Sequence, residues 1–146
     1  MYCGKPEETS CCALMLSRNG KTLYRCPCGK IGTYVVPESV AKIAENAFYQ
    51  CSKLTEVVLP QCVKKIANSA FFRCSALARI ELPKTLETVG EYAFYKCASL
   101  TEVVLPKGVK KIANGAFSDC SALTRIEFPE TLKTIGAEAF EECVSL

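Results

Sequence analysis

Eleven cysteines in 146 residues are the side chains here best suited to chemistry, since thiolates ligate zinc, exchange disulfides and attack electrophiles. They fall into two sets and one outlier. Cys3, Cys11, Cys12, Cys26 and Cys28 crowd the first thirty residues, Cys51, Cys74, Cys97, Cys120 and Cys143 recur every 23 residues, and Cys62 stands apart. The first set is badly spaced for a metal: Cys11 and Cys12 are adjacent, Cys26-Pro27-Cys28 lacks the two-residue gap of a zinc knuckle, and the chain has no histidine. No metal and no cofactor is expected. A disulfide across residues 11–16 and 21–26 is expected if the protein is exported. The periodic set reads as buried, reduced thiols acting as small hydrophobes and weak donors, because side chains pointing inward in parallel cannot bridge along an axis. Cys62 aligns, within one residue, with Glu38, Lys84, Gly108 and Thr131 and is expected at the surface.

Catalysis needs a convergent group of titratable side chains. The sequence has no glycine-rich phosphate loop and no paired carboxylates outside periodic positions, and Glu141-Glu142 reads as a solvated end, so no catalytic residue is assigned. A net charge of +3, with acids and bases alternating, is not the footprint of a nucleic-acid binder. No apolar run approaches the roughly 20 residues that span a bilayer. The run from Cys11 to Leu16 is too short for a signal-peptide core, which leaves two locations open: intracellular, or surface or secreted if a leader has been removed.

The elements that position these side chains come from a repeat. Five units of 23 residues begin at Ile31, Leu54, Leu77, Leu100 and Leu123 (31–53, 54–76, 77–99, 100–122 and 123–145), and Leu146 opens a sixth. Units two and four match best, which makes the pattern also a repeat of pairs, and a period of this length means a solenoid. Ile31, Leu54, Leu77, Leu100, Leu123 and Leu146, then Tyr34, Val57, Ile80, Val103 and Ile126, then Val36, Leu59, Leu82, Leu105 and Phe128 form inward columns of a first strand. Pro37, Pro60, Pro83, Pro106 and Pro129 end that strand by removing a donor. Val40, Val63, Leu86, Val109 and Leu132, followed by Ile43, Ile66, Val89, Ile112 and Ile135, predict a second strand, and Ala-Phe-x-x-Cys predicts a short helical or 3-10 turn in which Phe48, Phe71, Phe94, Phe117 and Phe140 fill the coil. Coils about 4.8 Å apart make a rod on the order of 25 Å long.

Leucine, strand, proline, a Val/Ile pair and Ala-Phe-x-x-Cys, sustained through residues 31–146, resemble the BspA-like leucine-rich repeats, also called the Treponema pallidum type. The resemblance implies a right-handed, mostly parallel β solenoid without catalytic residues. For several surface members it implies adhesion to host or extracellular-matrix proteins.

Residues 1–30 lie outside the repeat. Leu14-Met15-Leu16, Arg18-Asn19-Gly20-Lys21 and Leu23-Tyr24 predict a hairpin with a type I′ turn at Asn19-Gly20, capping the first coil. No such cap follows Leu146, so either the repeats continue or that end meets another surface, another copy included.

Three surface patterns are candidate protein-binding sites. Glu56, Arg79, Glu102 and Arg125 form an outward column whose alternating charges would pair between neighbouring strands. Val58, Glu81, Val104 and Glu127 form the next, mixing apolar and acidic side chains. Tyr49, Phe72 and Tyr95, beside Gln50, Arg73 and Lys96, make an aromatic and basic stripe of the composition that dominates protein interfaces, and the column then changes to Ser118 and Glu141. Lys42, Lys64, Lys65, Lys110, Lys111 and Lys133 form a basic band that reads first as a solvated face and second as a contact for acidic glycans or lipids.

Overall fold

A 23-residue unit with one apolar side cannot enclose it alone; stacking buries that side against the neighbouring units. The computed structural model describes residues 14–27 and 29–146, so Cys3, Cys11, Cys12 and Cys28, with the zinc and hairpin-disulfide expectations that involve them, lie outside the described residues. The chain is a β solenoid of about five turns of about 23 residues. Its strands are β1 (Met15–Leu16), β2 (Thr22–Arg25), β3 (Gly32–Val35), β4 (Lys42–Ile43), β5 (Leu54–Val58), β6 (Lys65–Ile66), β7 (Arg79–Glu81), β8 (Thr88–Val89), β9 (Glu102–Val104), β10 (Lys111–Ile112), β11 (Arg125–Glu127) and β12 (Thr134–Ile135).

Each coil has three faces. The first-strand face carries β3, β5 and β7 in one parallel sheet and β9 and β11 in another, with no ladder between β7 and β9. This differs from the single sheet that stacking predicts. The second-strand face is continuous in the order β1-β2-β4-β6-β8-β10-β12. Here Ile43, Ile66, Val89, Ile112 and Ile135 stand in register. The second strands are only two residues long, because Val40, Val63, Leu86 and Val109 are taken up by a turn in which their N–H groups donate to the proline carbonyl three residues back, at 2.9–3.2 Å.

The third face is built of turns and contains no helix, contrary to the expected helical or 3-10 segment. In the first coil the N–H groups of Asn46, Phe48 and Gln50 donate along the rod to the carbonyls of Asn68, Ala70 and Phe72, at 3.3, 2.7 and 2.8 Å. The intervening Ala47, Tyr49 and Cys51 donate three residues back within the coil, at 3.1–3.2 Å. Alternation between axial and local acceptors excludes a helical ladder, and it holds Asn46, Gln50, Ser69, Arg73, Tyr92, Lys96 and Asp119 in the left-handed region, at φ from 52° to 60°, a conformation that Glu138 and Glu142 of the last coil share.

The core is a stack of phenylalanines. Phe48, Phe71, Phe94, Phe117 and Phe140 follow one another at centroid separations of 4.6–5.6 Å with planes within 9° of parallel. Each ring adds about 0.5–1.5 kcal/mol of stacking to its area burial.

Four inward expectations fail at the ends. Ile31 is 73% exposed: Gly32, at φ 78° and opposite Leu54 through an irregular register, turns the entering chain so that Ile31 points to solvent. Phe128, Ile135 and Leu146, on or after the fifth coil, are 47%, 53% and 52% exposed, because no described residue stacks beyond them.

The hairpin does cap the first coil. β2 pairs with β4 in parallel, placing buried Leu23 beside Ile43, and β1 runs antiparallel to β2. Its turn is not type I′. Only Gly20 has a positive φ, at 67°, and its N–H donates to Ser17 O at 2.9 Å, which makes a type I turn across Arg18-Asn19 followed by a left-handed glycine. The Asn19 side-chain oxygen accepts from Ser17 Oγ at 2.7 Å and from Lys21 N–H at 3.1 Å, using the carboxamide locally and leaving its own backbone right-handed.

Candidate functional site

The turn face gathers the aromatic stripe. Tyr49 and Phe72 stack at 5.2 Å with planes 10° apart, and Phe72 meets Tyr95 at 4.7 Å and 30°. Axial hydrogen bonds on either side of each ring fix their backbones, and the left-handed residues that follow put Arg73 and Lys96 beside the rings. The Arg73 guanidinium lies 5.8 Å from the Phe72 centroid and Lys96 Nζ lies 5.3 Å from that of Tyr95, both within cation–π range. An open groove of about 610 Å³ runs alongside, lined by Gln50, Ser52, Arg73, Ser75, Lys96 and Asp119 among others.

Tyr92 completes the stripe and was not singled out from the sequence. Its ring meets Tyr95 edge-on at 5.9 Å and lies over Gly115, where an added Cβ would come within 2.2 Å of the Tyr92 ring. The signal was there: Gly115 occupies the position of Tyr92 one unit on, so a small residue faces a large one. Further along the column Ser118 is buried, and the aromatic character stops.

The other candidates lie on the first-strand face, away from the stripe. Glu56 pairs with Arg79 at 3.6 Å and Glu102 with Arg125 at 3.1 Å, while Arg125 also pairs with Glu127. The column is therefore two couples, not a continuous ladder: no ion pair joins Arg79 to Glu102 across the gap between β7 and β9. A cleft lined by Arg79, Glu81, Lys84, Glu102 and Val104 opens at that gap. Val58 and Val104 are exposed, each in register with a glutamate, Glu81 and Glu127. All pairs here are solvent-exposed and contribute little to stability, about 0.2–1 kcal/mol each.

The periodic thiols point inward. Cys74, Cys97, Cys120 and Cys143 donate from Sγ to the carbonyls of Phe48, Phe71, Phe94 and Phe117 in the preceding coil at 3.0–3.2 Å. Burial pushes the Cys120 thiol up to about 12 and the Cys74 and Cys97 thiols up strongly, so none offers a thiolate at neutral pH. Cys51 differs in facing Cys26 of the cap: the neighbouring thiol and burial raise Cys26, the same neighbour lowers Cys51, and Cys26 Sγ lies 3.8 Å from the Pro27 carbonyl. Cys62 is exposed, as expected, with Sγ 3.1 and 3.0 Å from the Glu38 and Val40 carbonyls. Its structural equivalents are Ser39, Thr85 and Thr131, whose hydroxyls also donate to a carbonyl of the preceding segment, and Gly108; Glu38 and Lys84 lie one residue off the column. No group of ligands able to hold a metal occurs among the described residues.

No helix among the described residues is long and apolar enough to cross a membrane. No curated protein matches the sequence. Among solved structures, a leucine-rich cell-surface protein of Faecalibacterium prausnitzii superposes with a TM-score of 0.85 at 33% identity, covering 91% of this chain and 36% of that one. This chain thus spans about a third of the length of that relative. A T. pallidum leucine-rich-repeat protein superposes at 0.59 with 27% identity, covering 97% and 90% of the two chains. A leucine-rich-repeat protein of Bacteroides ovatus, at 24% identity and a TM-score of 0.64 over 90% of this chain and 46% of that one, shares the fold. The model of the BspA type leucine-rich-repeat region (6 copies) matches residues 20–146, a span that includes the β2 cap strand. The chain belongs to the BspA-type leucine-rich-repeat family.

Proposed function

We propose that this chain is a non-enzymatic protein-binding module, an adhesin or part of one, that engages an extracellular or host protein through its turn face. The observation that carries the reading is the run of stacked rings from Tyr49 through Phe72 to Tyr95, partly exposed and flanked by Arg73 and Lys96. Rigid aromatic area with adjacent cations is the composition of an interface hot spot, and here the backbone beneath is tied to both neighbouring coils, so binding orders little that is not already ordered. The likeness to a cell-surface protein supports an extracellular partner. Glu56, Val58, Arg79, Glu81, Glu102, Val104 and Arg125 on the first-strand face form the second candidate area, less favoured because its charges are already paired to one another.

The test is binding of the purified chain to a panel of purified extracellular-matrix glycoproteins. At least one is expected to bind, and Tyr49→Ser with Tyr95→Ser is expected to weaken it by about tenfold or more, as for a hot spot. Equal affinity of wild type and variant, or no binding across the panel, overturns the reading.

A second reading is self-association through the fifth coil, favoured by the half-exposed Phe128, Ile135 and Leu146. Light scattering that finds only monomer at high concentration removes it.

A further inference from the structure

The two sheets of the rod treat charge in opposite ways. On the first-strand face, neighbours alternate in sign and pair. On the second-strand face like charges are neighbours, with Glu87 the one acidic residue among them. The outward column that precedes each second strand reads Lys21, Ala41, Lys64, Glu87, Lys110 and Lys133. The column beside it reads Thr22, Lys42, Lys65, Thr88, Lys111 and Thr134, paired in register from Thr22 to Thr88 and from Lys111 to Thr134, with Val89 opposite Ile112 joining the two stretches. Seven lysines against one glutamate leave a surplus of six positive charges on one face, twice the net charge of +3 of the whole chain. All seven are exposed, and every ion pair among the described residues lies on the other sheet.

This arrangement works against the fold. Lys42 lies directly opposite Lys65, and Lys133 N–H donates to Lys110 O at 2.8 Å, so like charges sit side by side one strand apart. Like charges directly opposite each other in a sheet are destabilising, and at about 4.8 Å they are closer than the Debye length of about 8 Å in physiological salt. A bound polyanion turns that repulsion into attraction.

We propose that the second-strand sheet is a docking surface for a linear anionic polysaccharide, sulfated or rich in uronic acids, lying along the rod. The charges form two runs along one line down the stack, Lys21 to Lys65 and Lys110 to Lys133, separated by Glu87 and Thr88 of the third coil, which fits a chain-like ligand with spaced anionic groups. From β4 to β12 the outward cations are all lysine, compact charges with three donors that meet sulfate and carboxylate groups without a fixed fork geometry. From β4 to β12 no aromatic side chain stands among these outward positions to stack on bases, which disfavours single-stranded nucleic acid. The apolar residues of β4, β6, β8 and β10, namely Ile43, Ile66, Val89 and Ile112, point into the core, so the stretch of this face that carries the lysines of the first four coils has nothing to insert into a lipid interface.

The experiment is calorimetric titration of the purified chain with a heparin octasaccharide, a short DNA duplex and vesicles containing roughly a third anionic phospholipid. The octasaccharide is expected to bind most tightly at about 50 mM salt and to weaken steeply as salt rises. Lys42→Ser, Lys65→Ser, Lys110→Ser and Lys111→Ser together are expected to cost about tenfold or more, while arginine at the same four positions retains binding. Arg79→Ser with Arg125→Ser, and Tyr49→Ser with Tyr95→Ser, should each stay within about twofold of wild type, which separates this surface from the turn face. An octasaccharide that does not bind, a four-serine variant that binds as wild type, or tighter binding of DNA or vesicles overturns the proposal.

Discussion

Cys120 shows how a side chain with reactive potential is made inert. Burial raises its thiol from an ordinary 9.0 to about 12, and the Phe94 carbonyl takes its proton in a hydrogen bond. The folded state therefore keeps a proton that the unfolded chain gives up. Stability from this residue is complete below about pH 9 and declines as pH rises toward 12, by up to about 1.4 kcal/mol per pH unit for each such thiol. Urea midpoints are expected to stay level from neutral pH to about 8.5 and to fall above 9, and Cys120→Ala should lessen the fall; a curve that rises through this range contradicts the burial. The inward role of these thiols was legible from spacing alone. The mutual influence of Cys51 and Cys26 was not, since one lies outside the repeat and nothing in a 23-residue period refers to it. The exposure of Ile31 escaped for the same reason: a column assigns residue types, and whether a neighbour covers them depends on position in the stack.

At the scale of elements, the strands and prolines were readable because each needs only local physics, namely period-2 burial and a missing donor. The turn face was misread as helical because its apolar spacing suits either structure, and the deciding hydrogen bonds run between coils. Those bonds hold the proposed binding residues. Gly115 tests this, being both left-handed, at φ 59°, and covered by the Tyr92 ring. Gly115→Ala is expected to cost about 1–2 kcal/mol from backbone strain and to displace Tyr92 from Tyr95, lowering affinity at the turn face along with stability. An unchanged melting temperature would mean that the close approach is absent in solution. The stripe residues themselves were readable as a column of types, but their ring stacking and the addition of Tyr92 required the coil spacing.

The whole molecule is quasi-one-dimensional: each coil touches only its neighbours, so its stability is a sum of units and interfaces. Phe94 has a stacked ring on both sides, at 5.1 and 5.2 Å, and is fully buried, whereas Phe140 has one, at 5.6 Å, and is partly exposed. Phe94→Ala should cost about 3–5 kcal/mol and Phe140→Ala clearly less, as measured by equilibrium unfolding; a loss below about 1 kcal/mol at Phe94 is incompatible with the stack.

The missing ladder between β7 and β9 gives the rod a mechanical weak point. Elsewhere, successive coils are tied on three faces; at that junction two of the faces carry the tie. A protein held at one end and loaded at the other would part there first. Each coil drawn from the stack then releases about 80 Å of contour, the extended length of 23 residues, so that a sudden pull is met by stepwise lengthening before the attachment itself is lost.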